Sequence, residues 1–307
     1  MKKTILLIAT FDTKEEEAVY LKKRMEARGV SVMTMDVGIL APPLAPVDID
    51  QQQVALSGGG VPLREIVATG DKGKCILNMI EGAKTLCKEL YDQGRIHGVI
   101  SIGGAQGTEI GSAAMRTLPV GVPRLMVSTV ASGRATFGPY IGTKDITIMH
   151  SVADMQGLNF VTKRILENAA GAICGMIEAF EESLVNPEGI PVALSMLGTT
   201  TPGALYCKKI LERQGFEVVA FHQNGAGGIA MEDMIRSGAF QGVLDLNLHE
   251  IGDRFVGGLH GAIREDRLEA AGALGIPQVV APGSINYAVW GPLSSLSKEL
   301  KSRKYIV

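Results

Sequence analysis

The residues best placed to do chemistry lie in Val99-Ile-Ser-Ile-Gly-Gly-Ala-Gln-Gly-Thr-Glu-Ile-Gly-Ser-Ala-Ala-Met115. The apolar run Val99–Ile102 reads as a buried strand that stops at Gly103-Gly104, and Glu109–Met115 reads as a helix. Between them, Ala105, Gln106, Gly107 and Thr108 bring backbone N–H groups to a helix N-terminus with no bulky side chain in the way. About half a positive charge gathers at a helix start, so a phosphate or carboxylate is the natural guest. An ordinary strand-to-helix turn would also use glycine, and the loop alone does not decide between the two.

Loops elsewhere share this small, polar character. Asp12, Thr13 and Lys14 follow the first strand, and Ser128, Thr129, Ser132 and Gly133 follow a later one. In the second half, Gly225, Gly227 and Gly228 form another glycine-rich turn after His222. Hydroxyls and bare amides suit an oxyanion better than an apolar guest. Neither standard nucleotide signature is present. Gly70-Asp-Lys-Gly-Lys-Cys75 has the wrong spacing for GxxxxGK[ST], and Gly104-Ala-Gln-Gly107 is not GxGxxG. Lys14, Lys72 and Lys74 can supply charge to a polyphosphate, or simply be solvated.

For acid–base or nucleophilic work the candidates are Asp245, which ends the apolar run Gly242-Val-Leu, and His222. A buried acid is costly unless it is paired or faces a ligand, and His222 can equally well cap its strand. No GxSxG elbow occurs. His222, His249 and Glu250 fall near strand ends, but no HxH or HExxH spacing exists among the five histidines, so no dedicated transition-metal site is expected. Mg2+ carried in by ligand phosphates asks less of the protein.

The elements that must position these residues alternate strand and helix along 307 residues, which means parallel sheets wrapped by helices. Strands are expected at Thr4–Ala9, Val30–Met35, 97–102 and Arg124–Ser128, with helices at Lys14–Arg28, 73–93 and 108–117. Residues 39–70, rich in Pro, Gly and Gln, read as an excursion with little regular structure. Residues 13–35 echo 199–221: Ala18, Tyr20, Lys22, Lys23, Glu26, Gly29 and Val32 return as Ala204, Tyr206, Lys208, Lys209, Glu212, Gly215 and Val218. The expected architecture is therefore α/β, with two Rossmann-like parallel-sheet domains, 1–185 and 186–307, arising by internal duplication. A ligand cleft is expected between them, with the join where Asn186-Pro-Glu-Gly189 interrupts a helical run.

Net charge −2 gives no electrostatic case for nucleic acid or a membrane surface, and 5% aromatic residues make a poor stacking platform. Cys75, Cys87, Cys174 and Cys207 form no CxxC pair and are expected as free thiols. The apolar part of Met1–Ala9 is too short for a signal peptide, and no apolar run reaches the ~20 residues of a membrane helix, so a cytoplasmic protein is expected.

Longer motifs run through nearly the whole chain. They are Phe11-Asp-Thr-Lys14, Ser101-Ile-Gly-Gly-x-x-Gly-Thr108, Ala114-Met-Arg-x-Leu-Pro-Val-Gly-Val-Pro123, Val127-Ser-Thr-x-Ala-Ser-Gly133 and Phe221-His-x-x-Gly-x-Gly-Gly-x-Ala-Met-Glu232. In these the sequence resembles the ATP-binding domain family of the tomato mosaic virus resistance protein and its bacterial relatives. The resemblance implies a two-subdomain α/β protein that binds ATP with a divalent cation and forms a homodimer. Members of that family continue beyond the point where this chain stops, so a further C-terminal segment is expected. The resulting expectation is ATP with Mg2+, its phosphates held by Gly103–Thr108 and Ser128–Gly133 and flanked by Asp12, Thr13 and Lys14. The alternatives are a hydrolase or lyase acting on a small carboxylate or phosphorylated substrate, and an interaction module locked by a nucleotide.

Overall fold

The computed structural model describes residues 2–131, 138–181 and 187–302. They fall into two compact units, Met1–Val185 and Asn186–Val307. The N-terminal unit runs β1 (Thr4–Ala9), α1 (Phe11–Glu26), β2 (Ser31–Asp36), α2 (Gln51–Gly59), α3 (Leu63–Ala68), α4 (Lys72–Asp92), β3 (Gly98–Gly103), α5 (Ala105–Met115), β4 (Arg124–Ser128), α6 (Gly138–Ile141), β5 (Thr147–His150) and α7 (Phe160–Ala179). The C-terminal unit runs β6 (Ile190–Met196), α8 (Thr201–Glu212), β7 (Phe216–His222), α9 (Ala226–Arg236), β8 (Gly242–Asn247), α10 (His249–Val256), α11 (Ala270–Leu274), β9 (Gln278–Gly283) and α12 (Lys298–Lys301).

Both sheets are parallel throughout. Their orders, β2-β1-β3-β4-β5 and β7-β6-β8-β9, follow the same pattern. The first strand of each unit is central, flanked by its second and third. Topology thus repeats where the sequence echoes.

In the N-terminal unit the strands read as continuous apolar runs because both faces are covered. Alternate residues of β1 and β3 supply opposite cores. Leu6, Ile8 and Val99 pack with Met79, Ala83, Ile110 and Ala114 of α4 and α5. Ile5, Leu7, Ile100 and Ile102 pack with Leu21, Met25, Leu166 and Ile173 of α1 and α7. Each such side chain, fully buried, contributes roughly 1.5–3 kcal/mol of transfer free energy. The C-terminal unit is thinner: Ala193 and Val243 meet Met231 and Ile235 of α9 on one face, while Val192 and Leu194 meet Ala204 of α8 on the other.

Residues 39–70 are more regular than their composition suggests. Asp50 caps α2 by accepting from Gln53 N–H, and the Gln53 side chain returns the bond to the Asp50 backbone. Gly60, at φ +72°, closes the helix in the left-handed conformation, and α3 follows Pro62. The caps, rather than apolar periodicity, define α2. No helix among the described residues is long and apolar enough to cross a membrane.

Candidate functional site

In an open parallel sheet the natural ligand position lies beyond the strand C-termini, where the strand order reverses. In the N-terminal unit that point falls between β1 and β3. A concavity of about 380 Å³ opens there, lined by Thr10, Asp12, Thr13 and Lys14 after β1 and by Gly104, Ala105, Gln106 and Gly107 after β3. Ile39 and Leu40, after β2, Lys72, at the start of α4, and Asp154 and Gln156, after β5, complete the wall. The two motifs are therefore brought together by adjacent strands of one sheet, entirely within one unit. A second concavity, of about 440 Å³ around Arg124 and Asp145, lies at the strand N-termini, the wrong end for this topology.

The β1 turn is irregular. Lys14 departs from helical geometry (φ −133°, ψ 24°), and the hydroxyls of Thr10 and Thr13 lie 3.0 Å apart. Lys14 is only 5% exposed. Among the described residues it takes part in no ion pair. Most of the side chain is covered, and the residue lines the concavity, so an anion entering there would meet a cation not already paired among the described residues. Asp12 Oδ2 accepts from Ile39 and Leu40 N–H, fastening the loop after β2, while its buried Oδ1 has no hydrogen-bond partner.

The glycines divide by role. A Cβ on Gly103 would lie 2.6 Å from Gly107 Cα, so this residue lets α5 press against β3. A Cβ on Gly104 would meet only Thr129 Oγ1, at 3.6 Å, an ordinary van der Waals contact, so this residue is not needed for packing. No side chain caps α5. The hydroxyls of Thr108 and Ser128 are buried and lie 2.7 Å apart, and Ser128 Oγ also accepts from Val130 and Ala131 N–H. They tie the β3 and β4 loops together and do not line the concavity. Thr129 N–H donates to Gly103 O, in the same seam. Ser132 and Gly133 lie outside the described residues.

Behind this wall, Asp36 at the end of β2 is fully buried and accepts from Phe11 and Gly38 N–H. Burial pushes its carboxyl up to about 6, and the nearby charge of Asp12 adds to the rise.

The second glycine loop has a different fate. Glu250 Oε1 accepts from the N–H of both Gly225 and Gly228, and Gly227 N–H donates to Asn224 Oδ1. The start of α9 thus already holds a carboxylate from its own chain. Burial raises the pKa of Glu250, and these two N–H bonds and Arg267 oppose the rise. Asp245 is also committed: fully buried, it takes a two-pronged bond from Arg267 (2.6 and 2.9 Å) and one from Ser195 Oγ. Arg267 additionally meets Glu232, Glu250 and Gln223. Burial pulls the guanidinium pKa down, but Asp245, Glu250 and Glu232 outweigh it and hold it above its ordinary value. His222 ends β7 exposed. It does not form a trio with His249 and Glu250, because Glu250 turns to Gly225 and Arg267 while His249 faces Asp253.

The comparisons with known proteins cover both units. Residues 3–182 match the N-terminal domain, and residues 190–307 the C-terminal domain, of Uncharacterised protein family (UPF0261). The chain belongs to the UPF0261 family. A UPF0261 protein of Clostridium tetani is 42% identical over 303 residues, which are 99% of this chain and 74% of that protein. One from Rhizobium meliloti is 38% identical, covering 94% of this chain and 70% of that protein. The ToMV resistance protein Tm-1(GCR237) of Solanum lycopersicum is 37% identical over 237 residues, which are 76% of this chain but only 31% of the tomato protein. Among solved structures, MurG of Acinetobacter baumannii is similar over 97% of this chain and 88% of that chain, at 13% identity and a TM-score of 0.32, a likeness that carries no functional inference.

In this UPF0261 chain, local sequence did not reveal Asp154 and Gln156, which reach the concavity from a loop after an edge strand. One signal lies in the backbone. Val152, two residues before Asp154, sits at φ +62°, costly for a β-branched residue and a mark of a constrained turn. Nor did motif spacing reveal Arg267, whose partners come from four separate segments.

Proposed function

We propose that the N-terminal unit binds a nucleoside triphosphate, ATP with Mg2+, at the concavity between the β1 and β3 loops. The observation that carries this reading is Lys14, a buried lysine without an ion-pair partner among the described residues, lining the same wall as the start of α5. A phosphate group there meets the lysine and the first amides of α5 together, while Lys72 adds charge at the rim. Asp12, through its unpartnered Oδ1, and Asp154 are the carboxylates able to meet the Mg2+ that accompanies the phosphates. Held there, the ion would neutralise phosphate charge. The resemblance to the virus-resistance ATP-binding domains supports the nucleotide over other anions, and it also suggests a homodimer.

Thermal denaturation with ATP, ADP, phosphate and small organic acids, each with and without Mg2+, tests the proposal. Ligand binding to the native state raises Tm with ligand concentration. A shift with ATP that is enhanced by Mg2+ supports it. A shift with organic acids and none with nucleotides transfers the site to a carboxylate substrate. Product analysis over hours then separates an enzyme from a protein that only binds the nucleotide.

A further inference from the structure

The C-terminal unit has its own reversal of strand order, between β6 and β8, and α10 begins there. His249 and Asp253 stand at positions i and i+4 of α10, on one face of the helix, and both are fully buried. His260 arrives on the turn Gly257-Gly-Leu-His-Gly261. The three side chains each offer one ligand atom, and these atoms lie within 4.8 Å of one another.

His249 Nδ1 lies 3.2 Å from the carbonyl oxygen of Ser284, which can only accept, so Nδ1 carries the proton. In that tautomer the lone pair is on Nε2. That atom is buried with no hydrogen-bond partner and lies 3.5 Å from Asp253 Oδ1. Two acceptors facing each other in a dry site repel unless a positive centre stands between them. A charge-assisted N–H···O bond would close to about 2.7–2.9 Å, and the observed separation is longer. It matches the ligand–ligand edge of about 3.4 Å expected around a tetrahedral ion bound at about 2.0–2.2 Å. His260 Nδ1, also buried, likewise has no partner.

The surroundings hold these atoms in place. Asp253 accepts from His260 N–H through Oδ2 and from Val289 N–H through Oδ1. A Cβ on Gly258 would lie 2.4 Å from Asp253 Cγ, so the turn can wrap the carboxylate only with glycine there. The Tyr287 ring stacks on His249 at 4.6 Å, and its hydroxyl reaches Thr199 at 3.2 Å. The Ser284 carbonyl is the kind of outer partner that fixes the tautomer of a ligating histidine.

We infer that His249 Nε2, Asp253 and His260 form a binding site for a divalent first-row transition ion. Two imidazoles and one carboxylate select such an ion over Mg2+ and leave at least one coordination position for water or an oxyanion. Sequence spacing did not show the site, because the third residue follows the second by seven positions across a glycine turn instead of sharing its helix.

The test uses the untagged 307-residue chain. Metal content after purification is measured by mass spectrometry, and Zn2+, Fe2+, Mn2+ and Mg2+ are then titrated singly by calorimetry. The expected result is one tight equivalent of Zn2+ or Fe2+ per chain and none of Mg2+. H260A, whose ring is partly exposed, and D253N should each weaken binding by roughly tenfold or more. Circular dichroism checks that both variants fold. If D253N fails to fold, H260A alone decides. Co2+ loading should give the visible absorption of a tetrahedral site in the wild type, and H260A should lose it. Absence of a tight equivalent for any of the transition ions, or equal affinity in wild type and H260A, overturns the inference.

Discussion

Glu250 occupies the space that a side chain on Gly228 would need, since a Cβ there would lie 1.8 Å from Glu250 Oε2. The two glycine loops, alike in sequence, therefore do different things. The loop after β7 holds an internal carboxylate, and the loop after β3 faces a concavity. G228A should destabilise the protein by about 1–3 kcal/mol through overpacking against a buried charge. Urea denaturation checks this, and an unchanged midpoint would remove Glu250 as the occupant of that helix start.

Gly103 and Gly104 should separate in the same way. G103A forces a methyl against the Gly107 backbone and should cost about 1–3 kcal/mol. G104A meets only Thr129 Oγ1 at van der Waals distance, so its stability should stay within about 0.5 kcal/mol of wild type. G104V should likewise fold while weakening nucleotide binding by crowding the concavity. Paired denaturation curves and titrations distinguish the roles.

The sheets are legible because their strands are largely apolar runs, and the strand order places a concavity at its point of reversal. The Lys14 turn and the Gly104–Gly107 stretch are local motifs, visible in sequence as candidates, and both line the concavity. Thr108 and Ser128 show the limit of that reading: hydroxyls at the ends of elements can face a ligand or each other, and only the register of β3 beside β4 decides. Asp245 shows it too. Its carboxylate, within β8, is a candidate for acid–base work on sequence alone, but in the structure it is held by Arg267, 22 residues away on an irregular segment that no local pattern points to. Helix α2 escapes a reading of apolar periodicity because its cap carries the information, and α3 because it is only six residues long.

Arg267 neutralises a buried group of carboxylates, so removing it leaves Asp245, Glu232 and Glu250 facing one another. R267M should lose about 3–5 kcal/mol, the usual cost of stripping one partner from a buried pair. R267K should not restore the wild type, because one ammonium cannot reproduce the two-pronged bond to Asp245. Chemical denaturation of both variants provides the comparison.

Asp36 makes a pH-dependent contribution of defined sign. Its carboxyl stands at about 6 in the folded chain against 3.8 ordinarily, so between those values the native state binds more protons than the unfolded one. Its contribution therefore falls as pH rises from about 4 to about 6, by an amount on the order of 3 kcal/mol. D36N keeps an acceptor for Phe11 and Gly38 N–H and cannot ionise. The stability of D36N minus that of wild type should rise across this window and level off above it. A flat difference would show that Asp36 titrates normally.

The most direct test of the nucleotide site is calorimetric titration of MgATP into wild type and K14M. The long apolar methionine fills the lysine's space without its charge. The expected outcome is saturable binding to the wild type and at least a tenfold weaker affinity in a K14M variant of unchanged fold, since a charged hydrogen bond to phosphate contributes roughly 1.5–3 kcal/mol. Equal affinity in the two proteins, or no binding to either, would contradict the assignment of this concavity to a triphosphate.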